Sequence, residues 1–563
     1  MSIDRQSVSF PIVNFYGKED KWQEVASLCR STLDDNGITR LQQGLRGKCD
    51  CVIVEYDYID KDYRNTYSYF HSKKFVVPHN RTIRLHFFDK EITRSLLIDD
   101  EISNLNESYL GYSIIRPIKP NCIGRTMISQ KILSSSKNAY VMTCQEKVLL
   151  QDKELEVIGF PFASQQVDAT TCAQTSIWIV LRYYSNRYSN YPDTFPFDIT
   201  LSAAKTAHDN RDYPYAALHP SVMINILKNH NIYPVTMHNG ANITYKDNGT
   251  IDMYSLINIY INSGIPVILL TKNHALVAFG HSSCYFFCEG EKKCCKRKEL
   301  HGLDNYNLVT DYFHKLVIAD DNRYPYQFLD YHEKTSHAKD DYITSVRKDV
   351  VASIIPLPER VFVPAEAFIS VTLDLLKKNE CGKMYSKCLR EFGKINLRIL
   401  LSTGKSFKKG LSKREMPEKV YSMYKDMPMP HFIWICEFVD NKRDYKGNTV
   451  IGELLWDATC TTNFIEDGLL AIHYPEVVMY NTGFYSSMDN KSPEEIANKL
   501  DIASIRDNFI DNYDIDNDED IIKAFTERVN EAFFSDKFMW FDTDVVDKSY
   551  KYCSHLKTNK GDF

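Results

Sequence analysis

Gln165-Gln166-Val167-Asp168-Ala169-Thr170-Thr171-Cys172-Ala173-Gln174-Thr175-Ser176 runs directly into Ile177-Trp178-Ile179-Val180-Leu181 and on to Tyr183-Tyr184. Threonine is a good N-cap, because its hydroxyl can satisfy an orphan amide at a helix start. Thr170 or Thr171 is therefore expected to open a helix over about 172–184, with Cys172 in its first turn. The positive end of the helix dipole favours a thiolate there. A helix apolar on most sides is a central element rather than a surface one. The stretch thus places a thiol at the tip of a rigid, buried support.

A thiolate nucleophile needs an imidazole partner and donors for the oxyanion that forms on the attacked carbonyl. Gln166 lies six positions before Cys172, where its side-chain amide could join the Cys172 backbone N–H as that donor pair. His274 opens the apolar run His-Ala-Leu-Val-Ala-Phe, and Asp320 closes Lys315-Leu316-Val317-Ile318-Ala319. Neighbouring strand ends would bring the two side chains together. His230 and His281 compete for the imidazole role. Taken singly, Cys172 reads as a small core residue, His274 as a strand-edge histidine and Asp320 as a turn acid. Their order along the chain favours the catalytic reading.

The set Gln166, Cys172, the apolar helix ending in Tyr-Tyr, His274 and Asp320 resembles the papain-like leader peptidases that process double-glycine bacteriocin precursors. The resemblance covers about 158–327. It implies Gln166 as oxyanion donor, Cys172 as nucleophile, His274 as base and Asp320 as its orienter. The sequence departs from the family in several places. Ala173 stands where those enzymes have Gly, and Asp321-Asn322 follow Asp320 where they have Pro. His274 lies 102 positions after Cys172, and Asp320 lies 46 after His274. Asn322 is therefore an alternative orienter. The expected fold class is α+β, a papain-like central domain flanked by two mixed α/β regions. The expected activity is cleavage of a peptide bond by a cysteine peptidase through a thioester. Acyl transfer at the same site, and an inactive binding module, stay open beside it.

The rest of the chain sets the frame. Its 563 residues suggest about three to four domains, placed at 1–150, 151–330 and 331–563. Hydrophobic residues make up 44% and charged residues 25%, as in an ordinary globular protein. A net charge of −6 lacks the basic excess of a nucleic-acid binder. No apolar run approaches the roughly 20 residues of a spanning helix, and the N-terminus lacks a signal-peptide core. A cytoplasmic protein is expected, with a protein or peptide substrate, no nucleic-acid or membrane partner, and its 15 cysteines mostly free thiols.

No metal or organic cofactor is expected for the chemistry. Cys284, Cys288, Cys294 and Cys295, with His281 and His301, are zinc-type ligands at spacings unlike a paired knuckle. A basic loop with free thiols is the other reading. Ser402-Thr403-Gly404-Lys405-Ser406 lacks the first glycine of a phosphate loop, since position 399 is Ile. The alternating Asp514, Asp516, Asp518 and Asp520 have Glu519 where a calcium loop needs Gly. His431 and Asp457 repeat the His-strand, Asp-strand pattern, but no Gln…Cys helix precedes them. Strands are expected at 51–58, 75–77, 82–88 and 109–115 and a helix within 21–34. From 492 the chain reads as helical and acidic.

Overall fold

The computed structural model describes residues 10–481, apart from several short stretches, the longest of them 207–217, 284–305, 333–342 and 441–448. It also describes the backbone of 538–542 and 552–553. The chain is an α+β protein with several antiparallel sheets. It forms two compact units. The first comprises 1–239, 264–283 and 314–357; the second comprises 240–263, 284–313 and 358–563. No helix among the described residues is long and apolar enough to cross a membrane.

The first unit contains two seven-stranded sheets. One is built from β1 (Ile12–Asn14), β2 (Cys51–Tyr58), β3 (Thr82–Phe88), β4 (Tyr109–Ile115), β5 (Ile123–Ser129), β7 (Cys144–Leu150) and β8 (Lys153–Phe162). Its order is β1-β2-β3-β4-β5-β8-β7. Every residue of β3 and β4 is buried, as expected of central strands covered on both faces. In β8 the charged Glu154 and Glu156 face solvent, while Leu155 and Val157 are fully buried. That period of two fixes the strand's register. The 150/151 junction lies in the turn of the β7–β8 hairpin.

The second sheet has the order Gln327–Asp330, Phe313–Ala319, Ala275–Ser283, Val267–Thr271, Val350–Pro358 and β9 (Ile232–His238). The short β6 (Ala139–Val141) pairs with Ala275–Ser283. Between the two sheets runs the helix Cys172–Arg187, packed on β7, β8 and the 275–283 strand. Residues 173–184 of this helix are all buried. The sequence pattern therefore located the central element correctly. Phe160 of the first sheet stacks on Phe279 of the second at 3.9 Å.

One local expectation fails, and one helix is shorter than its apolar pattern. Residues 75–77 are an exposed bend rather than a strand, with Phe75 protruding fully into solvent. They follow a 3-10 turn at His71–Lys73 and precede Pro78, which removes a ladder donor, so their β propensity finds no partner. The 21–34 helix stops at Leu28, and Asp34 instead caps a second helix, Asp35–Leu45, by accepting from the Gly37 N–H at 2.8 Å. Within the first unit a buried ion network holds helix to sheet. Arg182 reaches Asp62 at 2.8 Å and Asp193 at 2.5 Å, and Arg125 meets Asp60 at 3.1 Å.

The second unit contains a third sheet, ordered Asn307–Leu308, Ile395–Thr403, Phe432–Asp440, Thr449–Asp457, Leu469–His473, Val477–Asn481 and Phe538–Asp542. One face carries an apolar core with Leu400, Ile435 and Leu455, closed by helices Gly404–Leu411 and Glu418–Asp426. The next cross-strand row is Arg398, Glu437, Glu453 and His473. All four are buried. The charges are paired, Arg398 with Glu437 at 2.7 Å and Arg414 with Glu453 at 3.0 Å, as buried charges must be. Burial, reinforced by the Arg414 charge, pushes the His473 imidazole down to about 3.

Candidate active site

Thr171 is the N-cap of the central helix, and Cys172 is its first residue. Gln174 closes a capping box: its Oε1 accepts from the Thr171 backbone N–H and from the Thr171 hydroxyl at 2.7 Å. Gln174 thus has a local task, fixing the helix start that carries the thiol. The loop before it is closed by its own backbone. Ala169 and Thr170 N–H groups both donate to the Gln166 carbonyl at 2.8 Å, and the Gln166 N–H donates to Thr170 Oγ1 at 3.0 Å.

Cys172 is half-buried. Among the described cysteines it shares that exposure only with Cys460; Cys29, Cys49, Cys51, Cys122, Cys144, Cys388 and Cys436 are buried. Burial pushes the thiols of Cys29, Cys51 and Cys144 up to about 12 and that of Cys122 up to about 11. Such thiols are inert at neutral pH.

His274 immediately precedes the 275–283 strand, and Asp320 immediately follows the neighbouring 313–319 strand. The two side chains meet, His274 Nε2 lying 3.0 Å from Asp320 Oδ1. The Cys172 side chain also acts on the His274 ring and favours its charged form. Burial opposes charge on the ring. The hydrogen bond with Asp320, the Cys172 side chain, and the charges of Asp320 and Asp321 outweigh it and push the imidazole up to about 10. The ring is therefore an imidazolium at neutral pH.

Asp320 is fully buried, and its Oδ1 also accepts from the Asn322 N–H at 3.1 Å. The Asn322 side chain is engaged elsewhere: its Oδ1 accepts from Gln165 Nε2 at 2.8 Å. Of the two proposed orienters, Asp320 is the one that contacts the ring. Gln166 is buried, its Oε1 3.0 Å from His71 Nε2 and its Nε2 3.5 Å from Thr66 Oγ1. His281, the competing histidine, is buried and stacked on Tyr140 at 5.2 Å. His230 Nδ1 lies 3.4 Å from Thr194 Oγ1. Cys284, Cys288, Cys294, Cys295 and His301 lie outside the described residues, as do Asp514 to Asp520 and the stretch from 492 to 537. Thr403 caps the 404–411 helix through the Ser406 N–H at 3.1 Å. Asp457 accepts from Thr459, in a sheet position opposite Ile433.

Sequence reasoning missed the parts of the site that come from the first 150 residues. His71 and Thr66 hold Gln166 from the far side. The turn that follows Asp320 is fastened to the first sheet by Tyr326. Its hydroxyl donates to the Ile128 carbonyl at 2.6 Å and accepts from the Phe160 N–H at 3.1 Å. Arg46 donates to the Tyr326 carbonyl at 2.6 Å. A Cβ on Gly159 would lie 3.1 Å from the Tyr326 hydroxyl and 2.2 Å from the Ile128 oxygen. Asp321 was also missed as a participant. It is buried, with Oδ1 3.4 Å from His274 Nε2. One atom each from His274, Asp320 and Asp321 lies within 4.8 Å of the others, so the three have the donor types and spacing to hold a divalent cation. A cation there would have to displace a tightly held ring proton. In comparisons with protein-family models and with curated proteins, the chain finds no match.

Proposed function

We propose that the chain is a cysteine peptidase of papain-like type, with Cys172 as nucleophile, His274 as its acid–base partner, Asp320 as the orienting group and Gln166 as an oxyanion donor. The observation that carries this reading is the convergence of three separate segments on one ring: His274 lies 3.0 Å from Asp320, and the Cys172 side chain is near enough to favour charge on the same imidazole. Support for a papain-like arrangement comes from the order of the parts: a thiol on the first turn of a buried helix, an imidazole before one antiparallel strand, and a carboxylate after its neighbour.

The chemistry follows from the geometry. With Nε2 facing the two carboxylates, Nδ1 is the nitrogen suited to the thiol. Loss of the thiol proton beside the protonated ring leaves a thiolate–imidazolium pair, and the thiolate adds to a peptide carbonyl. The Cys172 N–H has no partner within the helix and suits the oxyanion. With Gln166 Oε1 against His71 and one Nε2 hydrogen toward Thr66, the second Nε2 hydrogen is the one offered to the oxyanion. His274 then protonates the leaving amine as the C–N bond breaks. It next takes a proton from water, whose oxygen attacks the thioester and releases the acid and the free thiol.

An electrophilic peptide probe that traps thiolate nucleophiles tests this. The expected result is a single covalent adduct on Cys172, absent in Cys172→Ala and strongly reduced in His274→Ala. Labelling confined to other cysteines would remove the proposal. Adding an amine with substrate and identifying the product by mass distinguishes hydrolysis from acyl transfer.

A further inference from the structure

Among the described residues, Phe75, Val76 and Val77 are the one run of three large apolar side chains exposed in succession. Phe75 is fully exposed, Val76 76% and Val77 47%. Such a run in water calls for a partner. The bend that carries it is fastened at both ends. Before it, the Lys73 and Lys74 N–H groups donate to the Phe70 and His71 carbonyls, each at 3.2 Å, and Lys74 Nζ lies over the Phe70 ring, 5.0 Å from its centroid. After it, the Tyr63 hydroxyl donates to the His79 carbonyl at 2.8 Å. The charge around the tip has one sign. Lys73 and Lys74 precede the apolar run, Arg81 follows it, and no Asp or Glu occurs anywhere from 63 to 88, in a chain whose net charge is −6.

We propose that the 73–81 bend is a contact for an anionic membrane surface, with Phe75, Val76 and Val77 entering the headgroup layer and Lys73, Lys74 and Arg81 lying among the lipid phosphates. Apolar residues flanked by Lys and Arg are the composition of an interfacial contact, and the basic groups supply attraction to anionic lipid on a protein that such a surface otherwise repels. A lipid surface suits this tip better than a protein partner. Successive side chains on a bend point apart, so a protein would have to enclose all three in a matching pocket, whereas a fluid interface closes around them. The contact needs no spanning segment. It departs from the expectation of no membrane partner, which rested on the lack of a spanning run. It stands apart from the chemistry proposed at Cys172, but bears on where that chemistry happens. His71, four positions before Phe75, lies 3.0 Å from Gln166, so the docked bend would hold the candidate site close to the membrane.

Flotation of the full-length protein with vesicles tests this, comparing phosphatidylcholine alone with phosphatidylcholine carrying about 30% phosphatidylserine. The expected result is binding to the anionic vesicles, weaker by about tenfold or more on phosphatidylcholine alone and released by raised salt. Phe75→Ser combined with Val76→Ser should weaken binding at least about tenfold, and Lys73→Glu about fivefold or more. All three changes fall on exposed side chains, and an unchanged melting temperature with an unchanged iodoacetamide rate at Cys172 shows the fold and the candidate site intact. Absence of the parent protein from the floated anionic vesicles overturns the proposal and needs no variant. Binding indifferent to phosphatidylserine, or binding that the double serine variant retains, overturns it as well. A dimer seen by sedimentation velocity without lipid, and dispersed by the same double substitution, would make the bend a protein contact and overturn the membrane assignment.

Discussion

Replacing Tyr326 by Phe removes one oxygen atom and tests how the site is fastened to its scaffold. That hydroxyl accepts from the Phe160 N–H at 3.1 Å and donates to the Ile128 carbonyl at 2.6 Å. The side chain is fully buried and its ring meets Phe279 edge-on at 5.5 Å, so Phe fits the space but leaves two backbone groups without this partner. An unmade hydrogen bond in a buried setting costs about 1–3 kcal/mol. Partial relaxation of the strands makes about 2–4 kcal/mol a fair total for the pair. Local opening of β5 and β8 should therefore become about 30- to 1,000-fold more frequent. Native-state hydrogen exchange read by mass spectrometry on peptides covering 123–129 and 153–162 measures this directly. Because the same residue ties down the turn after Asp320, the iodoacetamide rate of Cys172 should fall in parallel. Exchange within about threefold of the parent protein would refute the view that Tyr326 anchors the site.

Further outcomes follow from the same contacts. Asp320→Asn removes the charge but not the bulk of the ring's nearest partner; a hydrogen bond to a charged group contributes about 1.5–3 kcal/mol, so the His274 midpoint should drop by about one to two pH units in a ring titration by NMR. Arg182→Met breaks contacts of 2.8 and 2.5 Å and leaves Asp62, whose carboxyl burial already pushes up to about 6, with the longer Arg125 contact at 3.6 Å; a loss of about 3 kcal/mol should appear as a lower melting temperature. Acid should destabilise the fold through His86 and His473, which burial pushes down to about 4 and about 3. A folded value below the unfolded 6.5 means that their contribution is complete above pH 6.5 and is lost as pH falls through those values. His274 has the opposite sign, its contribution being complete below 6.5 and lost as pH rises through about 10. Urea midpoints measured from pH 3 to pH 10 should accordingly fall off on both sides, and a curve still rising below pH 5 would contradict this assignment.

The central helix and the strands beside His274 and Asp320 were legible because each is a local pattern. A threonine cap precedes an apolar run at 171–181, and apolar strands sit at 267–271, 275–283 and 313–319. The bend at 75–77 was misread because β propensity reports the residue's preference and not whether a partner strand exists. Arg46 and Tyr326, or His71 and Gln166, are joined only through tertiary packing across 280 and 95 positions. No periodicity announces such pairs. Asp321 stood in the sequence only as a departure from the family's pattern, because its neighbour Asp320 already filled the expected role; only burial without hydrogen bonds sets it apart.

The pairing of Cys172 with His274 is tested most directly by the second-order rate of Cys172 carboxamidomethylation at pH 6, located by peptide mass, in the parent protein and in His274→Gln. A rate at least tenfold higher in the parent is the result that the proposed activation of the thiol by the ring predicts. Equal rates in the two proteins would mean that the ring does not activate the thiol, and the proposed chemistry would fall.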